Sequence, residues 1–324
     1  MTSRTISSGF ISSVFVLTSC AAVAQPPAPS LAPRGEAPVL EEPGVAQDAD
    51  MASTPSSAEN AQDTLLEGSL VQGGLIFGRT QAGTVVRLDG QDVDVDENGN
   101  FIFGFNRDHG PTAVLEVTPP DNGLKDTRTL NIEQSSWRES RIQVEESKAN
   151  PYKQADLDKI KADIDKKNTA RQERADFAYW TSKFAWPVEG CISSPFGARR
   201  IVNGTPRRFH SGVDVAAPDG MSPLDYVGTE VRAPADGFVR LAEEDMFFEG
   251  GLIFIDHGQQ LESALMHLSF VKAKEGDFVK KGDLVGAVGS TGRSTGPHLH
   301  WSLKWKDRLV NPVWVVDDKP FCTD

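Results

Sequence analysis

Five side chains most constrain the fold of this chain: His210 and Asp214, four residues apart, then His267, then His298 and His300 on either side of Leu299. Any structure that gathers them must bring three distant segments to one place. On a strand, residues two apart face the same way with Cα atoms about 6.6 Å apart. His298 and His300 therefore share one environment, and two imidazoles on one face are hard to explain as core packing. The inventory suits a catalytic zinc, which takes about three imidazole or carboxylate ligands and keeps one position open for water. Two histidines are then left for proton transfer. Taken singly each piece is weak, since a His and an Asp four apart arise by chance and a lone His267 is more often a satisfied structural histidine.

Context joins the pieces. The chain reads Ser193-Ser194-Pro195-Phe196-Gly197 upstream, Phe209-His210-Ser211-Gly212-Val213-Asp214-Val215-Ala216-Ala217-Pro218 at the first motif and Met266-His267-Leu268-Ser269 at the second. The third is Gly289-Ser290-Thr291-Gly292-Arg293-Ser294-Thr295-Gly296-Pro297-His298-Leu299-His300-Trp301. From Trp186 to Phe321 this resembles the lysostaphin/LytM-type zinc metallopeptidases, which cut peptide cross-links and stems in bacterial peptidoglycan. The resemblance implies one zinc ion per chain, held by His210, Asp214 and His300. It also implies two catalytic groups beside the metal, His298 as the general base and His267 as the stabiliser of the tetrahedral oxyanion. Three protein ligands agree with an open coordination position, whereas a fourth from His298 would close a tetrahedral site. His257, in Asp256-His257-Gly258, lies at a turn the family shares and is not among its ligands; it reads as structural. Two departures stand out: Leu265 replaces an aromatic residue common two positions before the second histidine, and Met221 to Gly228 lengthens a usually short turn, with substrate access the expected target.

The net charge of −13 excludes nucleic acid as a partner, because phosphate binding needs a basic face. The charge is uneven. From Trp180 onward acids and bases nearly balance, so the first half carries most of the excess, and Arg199, Arg200, Arg207 and Arg208 form a local basic cluster beside the first motif. Such a cluster is either a solvated surface or a contact for the carboxylates of an anionic substrate. Arg207 and Arg208, with Asn203 of the Asn203-Gly204 loop, are the candidate substrate contacts.

Residues 1–24 combine Arg4, an apolar stretch from Phe10 to Leu17 and a small-residue exit. This reads as an export signal, too short for a membrane span of about 20 apolar residues. Two exits compete: Leu17-Thr18-Ser19-Cys20 resembles a bacterial lipobox, which would anchor the protein to the outer membrane through a lipid on Cys20, and Ala22-Val23-Ala24 fits ordinary cleavage. Residues 25–63, rich in Pro, Ala and acidic side chains, read as a disordered tether with a typical end-to-end distance of roughly 35 Å. Either exit leads to the cell envelope, with the periplasm as the expected compartment. An oxidising compartment permits a disulfide between Cys191 and Cys322; two separate buried thiols are the alternative.

Between these ends the chain is read as mainly β. Residues 64–146 hold about seven short β-type runs separated by turn signals, including Asn98-Gly99, and are read as an immunoglobulin-like β-sandwich accessory domain, with His109 in a loop. Residues 150–178 contain one connecting helix, clearest from Asp156 to about Ala175, whose narrow stripe of Leu157, Ile160 and Ile164 predicts light packing against one domain or a spacer role. Residues 180–324 form the metallopeptidase domain, a β-barrel or sandwich of the lysostaphin type. Gly276 to Asp283 looks like the basic turn of biotinyl and lipoyl carriers but lacks their Met-Lys attachment motif, so no carrier function is expected.

The functional expectation is an exported zinc metalloendopeptidase acting on peptidoglycan. Its rivals are a non-catalytic activator or scaffold for another cell-wall hydrolase, a type of relative that characteristically loses ligands, and a zinc peptidase with a protein substrate. Every ligand is present here. Cover of the metal by the helix or the tether would add autoinhibition.

Overall fold

The computed structural model describes residues 64–120, 123–143, 152–175, 178–181 and 183–323. The expected signal segment with Cys20 and the tether lie outside the described residues. Among the described residues no helix is long and apolar enough to cross a membrane.

The first part is two antiparallel sheets. One has the order Leu65–Gly68, Leu75–Arg79, Asn100–Gly104; the other runs Gln91–Val93, Val85–Leu88, Thr112–Thr118, Asp126–Asn131. In the second sheet Val86, Leu88, Ala113, Leu115 and Val117 are buried while Val85 and Val114 are exposed, the alternation of a sheet with one face on a core and one in solvent. The first sheet behaves differently: Phe101, Ile102 and Phe103 are all fully buried. Both of its faces are covered. Phe77 packs on Trp180 with ring centroids 5.3 Å apart, Arg308 donates to the Gly104 carbonyl at 3.0 Å, and a Cβ on Gly104 would come within 2.6 Å of Val310. One hydrophobic cluster therefore runs from Leu75 through to Val315. A further strand, Glu139–Ile142, pairs in parallel with Arg199–Val202 and so crosses the expected domain boundary.

The C-terminal part is built on an eight-stranded antiparallel sheet whose main path is Phe278–Val279, Gly237–Met246, Gly250–Asp256, Leu261–Leu268, Leu299–Trp305, Val213–Ala216, Cys191–Ser194, with Arg308–Val310 beside Leu299–Trp305. Its ends do not meet, so of the expected barrel or sandwich the closed barrel is not formed. A small sheet of Glu230–Arg232, Leu284–Ala287 and Phe270–Val271 covers one face, where a Cβ on Gly286 would meet Leu268 and Ile253. The lengthened turn is pinned by Tyr226, buried and hydrogen-bonded to the Glu189 carbonyl.

The helix spans Gln154–Ala170, starting slightly earlier and ending sooner than expected, and it lies against the C-terminal part through polar side chains instead of its apolar stripe. Leu157 and Ile164 are 45% exposed, and Asp163 is the helix's buried residue. What docks is a ladder of charges. Asp163 accepts the Phe247 N–H at 2.7 Å, Lys166 bonds Glu243 at 2.7 Å, Lys167 pairs with Glu249, and just beyond the helix Arg171 clasps Glu262 with two bonds of 2.7 and 3.0 Å. Single exposed ion pairs such as Lys166–Glu243 contribute little, but Lys167–Glu249 and Arg171–Glu262 are largely buried.

Cys191 and Cys322 are joined in a disulfide, with Cα atoms 4.9 Å apart across 131 residues of sequence. Closing so long a loop restricts the unfolded chain strongly. Replacing both cysteines with alanine should cost about 2–5 kcal/mol, read as a lower denaturant midpoint with a steeper slope, because the freed unfolded chain exposes more surface; an unmoved midpoint and slope would show that the bond leaves stability untouched.

Candidate metal centre

The ladder between Val213–Ala216 and Leu299–Trp305 sets Asp214 directly opposite His300. Facing residues of an antiparallel pair have Cβ atoms about 5 Å apart on the same face. Accordingly His300 Nδ1 lies 2.8 Å from Asp214 Oδ1. His210 reaches the same point from the preceding loop, its Nε2 standing 3.0 Å from both Asp214 Oδ1 and His300 Nδ1. The three expected ligands are thus brought together.

Their outer atoms are held as well. His210 Nδ1 donates to the Pro195 carbonyl at 2.8 Å; a carbonyl only accepts, so in the neutral ring Nε2 carries the lone pair, and in the protonated ring Nε2–H donates to Asp214. Ser211 Oγ is 3.3 Å from His300 Nε2. Such partners fix the ring orientation and tautomer of metal-binding histidines. Two imidazole nitrogens and a carboxylate oxygen this close repel one another unless a cation or a shared proton lies among them, and N and O donors of this kind are the set zinc prefers. The residues fit the ion. Burial would raise the carboxyl of Asp214, but its bonds to His210 and His300 outweigh that and hold it well below the usual carboxylate range. Burial lowers His300 despite Asp214. In His210, burial is outweighed by the Asp214 hydrogen bond and charge, so its pKa is raised.

The other two histidines flank this group. His298 Nδ1 donates to the Gly296 carbonyl at 2.8 Å, which turns Nε2 to within 3.6 Å of Asp214 Oδ1. His267 donates from Nδ1 to the Thr291 carbonyl at 2.9 Å, and its ring centroid is 4.8 Å from that of His298. Sequence alternation alone would not bring it there: Met266 is the residue paired with His300, so a regular pleat sends His267 to the opposite face. Its φ of 65° breaks the pleat. A non-glycine residue in the left-handed region costs about 1–3 kcal/mol and clusters at functional sites. Burial, followed by the neighbouring His298, pushes the pKa of His267 down to about 4.

The remaining candidates are placed differently. Asn203, with φ of 50°, and Gly204 form the tight turn between Arg199–Val202 and Thr205–Pro206. Arg208 is exposed and Arg207 half-buried just before Phe209. Arg199 pairs with Asp108 of the sandwich at 2.9 Å, so one member of the basic cluster has a structural partner. Sequence reading passed over the carbonyls of Pro195, Thr291 and Gly296 as orienting groups, although all three lie in the quoted motifs.

His257 stands apart in a closed chain of bonds. Trp301 Nε1 donates to Ser263 Oγ at 3.1 Å, Ser263 to His257 Nε2 at 2.8 Å, and His257 Nδ1 to the Asp236 carbonyl at 2.7 Å. Burial depresses its pKa to about 4, below the ordinary 6.5 of the unfolded chain. Folding therefore excludes a proton: this stability is complete above about pH 6.5 and is lost as the pH falls toward 4. The metal-free protein should lose up to about 1.4 kcal/mol per pH unit through that window from this group, a slope that denaturant titrations would read and that His257→Asn should flatten.

Residues 208–312 match the model of Peptidase family M23. The chain carries an M23 peptidase domain. Over 132 residues the domain region is 41% identical to the DD-carboxypeptidase/endopeptidase Mpg of Neisseria meningitidis serogroup B, a match covering 41% of this chain and 28% of that protein. It is 37% identical over 123 residues to the peptidoglycan DD-endopeptidase ShyA of Vibrio cholerae, covering 38% of this chain and 26% of ShyA. The chain thus spans little more than a quarter of the length of these curated relatives. The crystal structure of a putative peptidase M23 from Pseudomonas aeruginosa is similar at a TM-score of 0.56 and 26% identity, covering 76% of this chain and 95% of that one. That likeness extends well beyond the M23 domain.

Proposed function

We propose that this chain is an exported zinc metalloendopeptidase that hydrolyses peptide bonds in peptidoglycan cross-links or stems. One observation carries the reading: His210 Nε2, Asp214 Oδ1 and His300 Nδ1 converge on one point, with His267 and His298 beside it. A zinc ion bound by those three atoms would supply Lewis acidity toward the scissile carbonyl and toward water. The protein's own groups handle the proton. His298 and His267 each commit Nδ1–H to a carbonyl, so each presents a bare Nε2. A water attacking the carbonyl gives its proton to His298, whose imidazolium is stabilised by Asp214 3.6 Å away, and the proton passes on to the departing amine. The oxyanion role expected of His267 needs a proton on Nε2; with a pKa of about 4 the side chain is neutral at pH 7, and we assign that nitrogen as a hydrogen-bond acceptor that orients the water.

The substrate class is supported by the names of the relatives, Mpg and ShyA. The envelope, a lipid on Cys20 and a periplasmic location are part of the proposal, supported by the leader-like residues 1–24 and by a disulfide, which forms in oxidising compartments. The sandwich is assigned as an immunoglobulin-like positioning module: its first, second and fifth strands share one sheet and its third, fourth, sixth and seventh the other, a crossed connectivity of that kind. Digestion of purified sacculi, followed by mass spectrometry of the released fragments with and without a chelator, tests the catalytic reading. New amino termini that vanish with the chelator are expected. Intact sacculi with a cleaved protein control would point to a protein substrate, and no cleavage of either to a non-catalytic activator.

A further inference from the structure

We propose that the sandwich shapes the metal centre through the loop at residues 195–198, with Arg107 and Trp137 as positioning residues for the ligand His210. The inference rests on the zinc reading above. His210 is held by a single short loop: its Nδ1 donates to the Pro195 carbonyl at 2.8 Å, its N–H to the Ala198 carbonyl at 2.7 Å, and its own carbonyl accepts the Gly197 N–H at 2.9 Å. Whatever fixes residues 195–198 fixes the imidazole. Groups from the sandwich side do so. Arg107, 3% exposed, donates from Nε to the Gly197 carbonyl at 2.7 Å. Its guanidinium lies 5.5 Å from the ring centre of Phe209, the residue before His210, and 5.4 Å from that of Trp137.

Trp137 closes the other side. A Cβ on Gly197 would stand 2.2 Å from the Trp137 ring, so the loop can approach only because position 197 is glycine. The indole also packs edge-on to Phe196 at 5.6 Å, and Phe196 to Phe209 at 5.7 Å. Trp137 is itself fixed, its Nε1 donating to Gln72 Oε1 and to the Arg107 carbonyl, both at 3.0 Å. Arg107 is balanced by Asp108 and by Glu139 at 3.6 Å. A buried, charge-balanced arginine aimed at a backbone carbonyl is a costly arrangement, and here it grips the loop that orients a ligand.

Arg308 supplies the comparison, since it too is buried and ties the peptidase part to the sandwich, but its guanidinium donates to the Gly104 carbonyl and to Gln91 and not to residues 195–198. In the full chain, Arg107→Met and Arg308→Met should both lower thermal stability. Only Arg107→Met should weaken zinc, by about 10–100-fold as for other groups that orient a ligand, measured by competition with a chromophoric chelator. Arg107→Lys should not restore affinity, because an ammonium lacks the planar fork. Unchanged affinity in Arg107→Met, or equal weakening in Arg308→Met, overturns the proposal. If Arg107→Met does not fold, Trp137→Phe decides: it keeps a ring against Gly197 but drops both Nε1 bonds, and unchanged zinc affinity would again overturn it. A wild-type chain that binds no more zinc than His300→Ala would instead sink the metallopeptidase reading itself.

Discussion

His300→Ala should leave the protein folded, without stoichiometric zinc, and with peptidoglycan hydrolysis reduced by about a thousandfold or more. The magnitude follows from the several kcal/mol by which a metal stabilises developing charge, at 1.36 kcal/mol per tenfold in rate. Two ligands remain in the variant, and the one removed is the ladder partner of Asp214, 2.8 Å from its carboxylate. The backbone pairing on both sides of position 300 does not depend on the side chain, so the sheet should persist. A second readout separates metal loss from unfolding. Added zinc should raise the melting temperature of the chelator-stripped wild type, by linkage of about 2.7 kcal/mol at a hundredfold excess over Kd, and leave His300→Ala unmoved. A variant that keeps zinc and rate would remove His300 from the ligand set.

His298→Gln should behave in the opposite way toward the metal: zinc retained, turnover lost by about 10²–10⁴-fold, the usual contribution of general acid–base catalysis. Glutamine keeps the size of the side chain but cannot carry a proton between water and amine. The assignment turns on 3.6 Å between His298 Nε2 and Asp214 Oδ1, against the 2.8–3.0 Å that relate the three ligand atoms. Single-turnover rates on a defined muropeptide, normalised to bound zinc, measure it. If zinc leaves together with activity, His298 is a ligand and the site closes.

The site was far more legible in the sequence than its supports were. Residues 298 and 300 face one site because a strand has period two, and that periodicity could be read directly. His267 could be named only through its motif, since its left-handed φ reverses the face that alternation assigns. Light packing of the helix against one domain was among the readings its narrow stripe allowed, but the charged contacts were not legible: the bonds run from Lys166, Lys167 and Arg171 to carboxylates of the sheet, and charge partners far apart in sequence leave no local pattern. The union of the two parts did leave a trace. Phe101-Ile102-Phe103 does not alternate, and an unbroken apolar run in a strand means cover on both faces.

That doubly covered strand matters to anyone who would trim the protein. Removing everything before Ala178 takes away the partners of Trp180 and Val310, leaving aromatic and aliphatic surface in water, together with the Arg107 grip on the His210 loop. Such a fragment should clump and bind zinc poorly. A change in its rate would report insolubility and a slack ligand, so the lifting of any brake on the enzyme is better sought by point changes in the intact chain.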